Sequence, residues 1–239
     1  MNTIHFVMMG KGGVGKSTSS VILAQYLKAR DSNLYCADLD PTNATFSAYE
    51  ALNAEHINIA DRNFNIDPAQ FDVLIEKVLT DESDWVIDTG AATFLPLMNY
   101  LIKNDLILFL QESGRRVVIH TPIVGGPAMD ETIRGLRSIL EFANTPVVVW
   151  ENEFFGPVSL NGKRFVQTSG YEQFKDRILG VVRLAKGDPK QSEKDMVTMN
   201  TRRLTWDQAL SDSSFMLMQR QRLTVMRREI NRQLDEIEL

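Results

Sequence analysis

The run Gly10-Lys11-Gly12-Gly13-Val14-Gly15-Lys16-Ser17-Thr18 brings together the residue types that hold a polyphosphate. Glycines admit backbone conformations that other residues avoid, so several N–H groups can converge on phosphate oxygens while the following helix turns its positive end toward them. Lys16 is placed to reach the β- and γ-phosphates. Ser17 offers a hydroxyl oxygen of the kind an octahedral Mg²⁺ accepts, and Thr18 falls in the first helical turn, within reach of the next phosphate inward. Gly10, Gly12 and Gly15 also match the spacing of a dinucleotide-binding loop, with Asp38 about where such folds keep a ribose-binding acid. Lys16 and Ser17 decide between the two. A dinucleotide pyrophosphate carries less charge and needs neither, so the expected ligand is a nucleoside triphosphate with Mg²⁺.

Further acids stand at strand ends. Asp38-Leu39-Asp40-Pro41 follows the strand expected over 33–37, which places two carboxylates at the rim where open α/β sheets bind ligands. An Asp before a Pro is equally the makings of a turn and cap. Trp85-Val86-Ile87-Asp88-Thr89-Gly90 is an apolar strand ending in an acid and a glycine, the pattern in which Asp88 holds a water of the Mg²⁺ shell and Thr89-Gly90 form a hinge. His120 has no partner histidines or cysteines at metal spacing and reads as a hydrogen-bonded core or rim residue.

Positioning these groups takes alternating strands and helices, and the hydrophobic periodicity supplies them. Strands are expected over 3–9, 33–37, 56–60, 85–90, 116–124, 146–150 and 177–184. Helices are expected over 17–30, 68–79 and 94–111, then after Gly125-Gly126-Pro127 through 142, and over 204–210 and 215–237; Pro41 is expected to start another. This order implies an α/β fold, a mostly parallel twisted sheet with helices on both faces. One domain spans 1–239, with an excursion at about 154–170, a polar, mobile loop at about 186–200 and a C-terminal amphipathic helix at about 215–237. In that last helix Leu223, Met226, Ile230, Leu234 and Ile237 form one stripe, and Arg220, Arg222, Arg227, Arg228 and Arg232 lie off it. Its plainest use is to pack the stripe on the domain and solvate the charges.

Composition narrows the function classes. A net charge of −5 argues against coating nucleic acid by bulk charge, while leaving room for a local basic face. Cys36 is the one cysteine, which rules out an internal disulfide and paired-cysteine metal chemistry. The apolar run 4–9 is too short for a signal segment, and no stretch of about 18 apolar residues follows. A soluble, cytoplasmic protein is expected.

With Lys11, the loop reads Lys-Gly-Gly-Val-Gly-Lys-Ser and resembles the deviant Walker A motif of the ParA/MinD group of P-loop ATPases. The resemblance implies their three-layer fold and ATP as the nucleotide. It also implies that Lys11 crosses a dimer interface to the partner's nucleotide, that Asp40 orients the attacking water, and that Asp38 supports Mg²⁺ indirectly. An asparagine after a late strand often hydrogen-bonds the adenine edge in this group, which points to Asn152. Read alone, Lys11 could as well be a solvated loop lysine and Asn152 a turn asparagine. MinD relatives use a C-terminal amphipathic helix on membranes and ParA relatives use surface arginines on DNA phosphates. Both are sharper readings than packing; Glu236 and Glu238 would face anionic headgroups, so stable membrane insertion is disfavoured, while DNA contact through the C-terminal arginines stays open.

The run Asp40-Pro41-Thr42-Asn43-Ala44-Thr45-Phe46, the Val-Ile-His-Thr around His120, and Val-Val-Trp-Glu-Asn followed by Phe-Phe-Gly-Pro are similar to the TraL/StbB type of ParA-like protein encoded by conjugative plasmids. That likeness spans nearly the whole chain. Thr42-Asn43 stands where partition ParA proteins usually carry Gln-Gly, and Thr89-Gly90 where they often carry a proline, which sets a classical partition role and its DNA-binding surface in doubt. The implied function is a Mg²⁺-dependent ATP hydrolase, slow without a partner because no internal arginine finger stands out. It would act as an ATP-driven homodimerisation switch in conjugative plasmid transfer or plasmid stability, beside a plasmid-encoded protein. The alternative is a monomeric P-loop transferase or kinase acting on a small molecule, which needs an acceptor pocket and lid residues that the pattern does not display. A cluster carrier like the nitrogenase iron protein is disfavoured by the lone Cys36.

Overall fold

The computed structural model describes residues 2–30, 33–63 and 65–239. Along the chain come β1 (Thr3–Val7), α1 (Lys16–Lys28), β2 (Leu34–Asp38), β3 (Glu55–His56), α2 (Ala69–Thr80), β4 (Asp84–Asp88), α3 (Phe94–Lys103), α4 (Leu106–Glu112), β5 (Arg116–Val124) and α5 (Met129–Phe142). They are followed by β6 (Val147–Asn152), a short hairpin of β7 (Ser159–Leu160) and β8 (Lys163–Arg164), α6 (Ser169–Phe174), β9 (Ile178–Leu184), α7 (Ser192–Thr201), α8 (Trp206–Ser211) and α9 (Leu217–Asp235). Seven strands form one sheet in the order β3-β2-β4-β1-β5-β6-β9, and every pairing in it is parallel.

Parallel strands joined by crossover helices are covered on both faces, which is why they read as apolar runs. Alternation along each strand then sorts the residues into two layers. Ile4, Phe6, Trp85, Ile87, Val117, Ile119, Val147 and Val149 pack with α2, α3, α4 and α5. Val7, Val86, Val118, Val148 and Trp150 pack with α1, α7, α8 and α9. On this second face Trp150 Nε1 donates to His120 Nδ1 at 3.1 Å, and His120 Nε2 lies 3.0 Å from His5 Nδ1. Because the indole N–H can only donate, His120 carries its proton on Nε2 and passes a hydrogen bond on to His5. Burial lowers the pKa of His5 to about 4 and holds that of His120 well below 6.5, so both are neutral core residues.

Several expected elements differ. Pro41 starts no helix: the Asp40 side chain accepts from the Thr42 and Asn43 amides and folds 41–49 into turns ahead of a 3₁₀ segment at Glu50–Leu52. The strand expected over 56–60 pairs with the sheet only at Glu55–His56, with an isolated bridge from Ala60 to Ile66. The helix expected over 94–111 is two helices, broken where Asp105 takes φ 46 in the left-handed region. β6 runs on to Asn152 rather than stopping at Trp150. The polar stretch 186–200, expected as a mobile loop, holds α7. Only Asp195 and Met199 of that helix are buried, so its apolar stripe is too thin to show in the sequence. Tertiary contacts hold it instead, because Asp195 accepts from Gln219 Nε2 at 2.9 Å and from Arg222 Nε at 2.6 Å, both on α9.

Candidate nucleotide site

β4 lies between β1 and β2, with Val7 and Asp38 both in register with Asp88. The three loops that leave these strands therefore meet at one carboxyl edge, which brings Gly10 to Thr18, Asp38, Asp40 and Asp88 together. Gly13 takes φ 74 and Gly15 φ 98, conformations that a side chain would strain. Gly15 is the N-cap of α1, and no side chain caps it, which leaves the helix's first amides to an anion. Lys16 is buried at the head of that helix, and its Nζ donates to the Lys11 carbonyl at 3.0 Å. Burial lowers its pKa; the charges of Asp88 and Asp40 act the other way.

Asp88 is completely buried and accepts from Ser20 Oγ at 2.8 Å, with the Ser17 hydroxyl near enough to lower its pKa. Burial pushes its pKa up to about 7 against the pull of those hydroxyls and Lys16. Its Oδ2 has no hydrogen-bond partner among the described residues. An unpartnered carboxylate oxygen beside a serine hydroxyl is the donor set a hard divalent cation takes, so Ser17 and Asp88 fit Mg²⁺. Asp38 is differently employed. Its Oδ1 accepts from the Asp40 amide at 3.0 Å and its Oδ2 from the Ser47 amide at 2.9 Å, which clamps the 38–47 loop, and burial raises its pKa despite those amides. Asp40 is half-buried, with Oδ1 accepting from Thr42 N, Thr42 Oγ1 and Asn43 N at 2.9, 2.8 and 3.1 Å. A Cβ on Gly90 would lie 2.8 Å from Asp40 Cγ, so this glycine is what lets the two loops touch.

Lys11 lies at the rim rather than inside the loop. Its Nζ is 3.0 Å from Glu131 Oε2 of α5, both side chains being about half exposed. Glu131 and Arg134 of α5 line a small cavity with Gly10, Lys11, Ala91 and Leu95. On the other side of the loop a cavity of about 660 Å³ opens between Gly15, Thr18, Phe154, Met196, Asn200 and Ile230, so α7 and α9 wall the space next to the glycine loop. Asn152 stands at its edge: Nδ2 donates to the Val14 carbonyl at 3.0 Å, and Oδ1 accepts from the Phe154 amide at 3.2 Å.

Sequence reasoning passed over Ser20, Glu131 and the α7 wall. Ser20 lies one helical turn beyond Lys16 and could have been found from that spacing. Glu131 and α7 carry no local signal, because their partners lie far along the chain. The C-terminal stripe packs as expected, with Leu223, Ile230, Leu234 and Ile237 buried. Three of its arginines are paired with acids of the chain: Arg222 with Asp195, Arg227 with Asp207, and Arg232 with Glu229 and Glu236. Among the described residues no helix is long and apolar enough to cross a membrane.

A model of the CobQ/CobB/MinD/ParA nucleotide binding domain matches residues 5–199. Protein TraL of Escherichia coli is 41% identical over 98% of both chains, and a second Escherichia coli protein TraL is 38% identical over the same shares. Among solved structures, the MinC:MinD cell division protein complex of Aquifex aeolicus matches with a TM-score of 0.55 at 14% identity, covering 100% of this chain and 98% of that one. The MinD cell division protein of Aquifex aeolicus matches at 0.53 and 15%, covering 100% and 99%. At such identities these two show a shared fold.

Proposed function

This chain belongs to the CobQ/CobB/MinD/ParA family of nucleotide-binding domains, and from that membership we propose that it is a Mg²⁺-dependent ATPase whose ATP-bound form dimerises. We infer that it serves as a switch in conjugative plasmid transfer or plasmid stability, in the cytoplasm and beside a plasmid-encoded protein partner. One observation carries the switch: the loop's two lysines have separate stations. Lys16 is buried and turned into the loop, whereas Lys11 stands half-exposed at the rim, held by one half-exposed carboxylate. An exposed ion pair of this kind is worth about 0–1 kcal/mol, so Lys11 can leave Glu131 for a partner subunit's phosphates at little cost.

In this reading Gly10 to Thr18 bind the phosphates through backbone amides, Lys16 neutralises the β- and γ-phosphates, and Ser17 with Asp88 hold the metal. Mg²⁺ supplies further charge neutralisation of those phosphates when bound. Asp40 orients water at the loop that Gly90 lets approach, and Asp38 keeps that loop in shape.

The test is molar mass by light scattering with ADP and with Mg²⁺ plus a slowly hydrolysed ATP analogue. A monomer with ADP and a dimer with the analogue are expected, because the γ-phosphate is the contact that differs between the two states. Lys11→Ala should still bind nucleotide through Lys16 and the amides, yet stay monomeric. A variant that dimerises like the parent would make Lys11 an ordinary loop residue, and a parent that stays monomeric with both nucleotides would favour a small-molecule transferase.

A further inference from the structure

We propose that Asn152 is a positioning residue that sets the shape of the phosphate loop from the end of β6. The inference rests on Gly10 to Thr18 binding a nucleoside triphosphate, and it is independent of dimerisation. Val14 is held at both ends. Its side chain is buried in a small cluster with Met9 and Val124, and its carbonyl accepts from Asn152 Nδ2 at 3.0 Å. Val124 and Asn152 are themselves register partners on β5 and β6, so both anchors of Val14 come from one rung of the sheet.

The consequence follows from peptide geometry. There is no cis peptide among the described residues, and in a trans peptide the C=O and the next N–H point in opposite directions. Tying the Val14 carbonyl to β6 therefore turns the Gly15 N–H away from β6. The fit is close: a Cβ on Gly15, which sits at φ 98, would lie 2.6 Å from Asn152 Nδ2. The asparagine side chain is itself oriented, since its Oδ1 accepts from the Phe154 amide at 3.2 Å and caps the turn at Glu153–Phe155. A carboxamide bonded to backbone at both its oxygen and its nitrogen is fixed in orientation, and what it orders is an amide that any triphosphate would use.

A base-free probe separates the two roles. Binding of ATP, GTP and inorganic tripolyphosphate is measured by calorimetry on the full chain, for the parent and for Asn152→Ser, which keeps an oxygen to cap Phe154 but cannot reach Val14. Asn152→Ala serves as a second variant, and melting temperature and amide exchange of the nucleotide-free proteins are recorded beside them. The expected result is that all three ligands weaken by a common factor of about ten, the scale of one lost hydrogen bond to a preorganised loop. Amide exchange should rise over 13–16 while the melting temperature stays near the parent's. Tripolyphosphate binding that is unchanged while ATP weakens would overturn the proposal and make Asn152 a base contact. Unchanged binding of all three would overturn it too. A parent that binds neither ATP nor tripolyphosphate would instead bring down the phosphate-loop reading on which it rests.

Discussion

Asp40 has two jobs that a single substitution to alanine would confound. Its Oδ1 already accepts from Thr42 N, Thr42 Oγ1 and Asn43 N, so removing the side chain unties a turn as well as any catalytic group. Asp40→Asn keeps an oxygen for those donors and removes only the anion. We expect it to bind ATP about as well as the parent while hydrolysis falls by about 100-fold or more, the range of a lost general base or water-orienting group. Hydrolysis at the parental rate would leave Asp40 as a turn cap. Asp88 poses a different test, because its folded-state pKa is raised from 3.8 to about 7, chiefly by burial. Between those values the folded state binds more protons than the unfolded one, so this group's contribution to stability is full below pH 3.8 and is lost as the pH rises through 7. Asp88→Asn carries no such charge. It should melt above the nucleotide-free parent at pH 8, by at most about 4 kcal/mol of stability, with the gap closing toward pH 5, and it should lose Mg²⁺-dependent hydrolysis. Equal melting at pH 8 would mean that Asp88 is ionised without penalty.

Among the elements, α7 and α9 depend on each other in a way that neither sequence announces. The clasp is a carboxylate that is 2% exposed, Asp195, shared between Arg222 and Gln219. Removing the guanidinium leaves that buried charge with an amide alone, so Arg222→Ala should cost about 3 kcal/mol in urea unfolding. Arg232, whose partners Glu229 and Glu236 are exposed, provides the control: Arg232→Ala should leave the urea midpoint close to the parent's. Similar losses for the two would show that the α7–α9 contact is held by packing. Because both helices wall the cavity beside Gly15 and Thr18, loosening the clasp should also weaken nucleotide binding.

For the whole molecule the question is what the outer surface touches. The net charge is −5, and Arg222, Arg227 and Arg232 of α9 are each paired with acids of the same chain. Phosphates would have to displace Asp207 before using Arg227. Fluorescence anisotropy with duplex DNA, in the presence of ATP and across a salt series, is therefore expected to give the same weak binding for the parent and for Arg227→Ala. A variant with lower affinity and a flatter salt dependence would assign this face to DNA, since fewer counterions would be released.

The glycine loop at 10–18, the strands that carry Asp38 and Asp88, and the two-sided sheet were legible in the chain itself, because glycine conformation, strand alternation and helix period are properties of neighbouring residues. That Lys16 and Lys11 both belong to one loop is likewise written in nine consecutive positions. Tertiary structure alone decided how the groups are employed. Asn152 meets Val14 across 138 residues of chain, and Ser20 meets Asp88 across 68. The pairing of Lys11 with Glu131 depends on α5 lying against the loop, where Gly135 faces Met9 so closely that a Cβ would come 2.5 Å from its Sδ. The two acids of Asp38-Leu39-Asp40 look alike in sequence, yet both oxygens of one are taken by backbone amides while the other caps a turn beside Gly90. A carboxylate's role follows from which of its oxygens the fold leaves unpaired, and that depends on where distant segments come to rest.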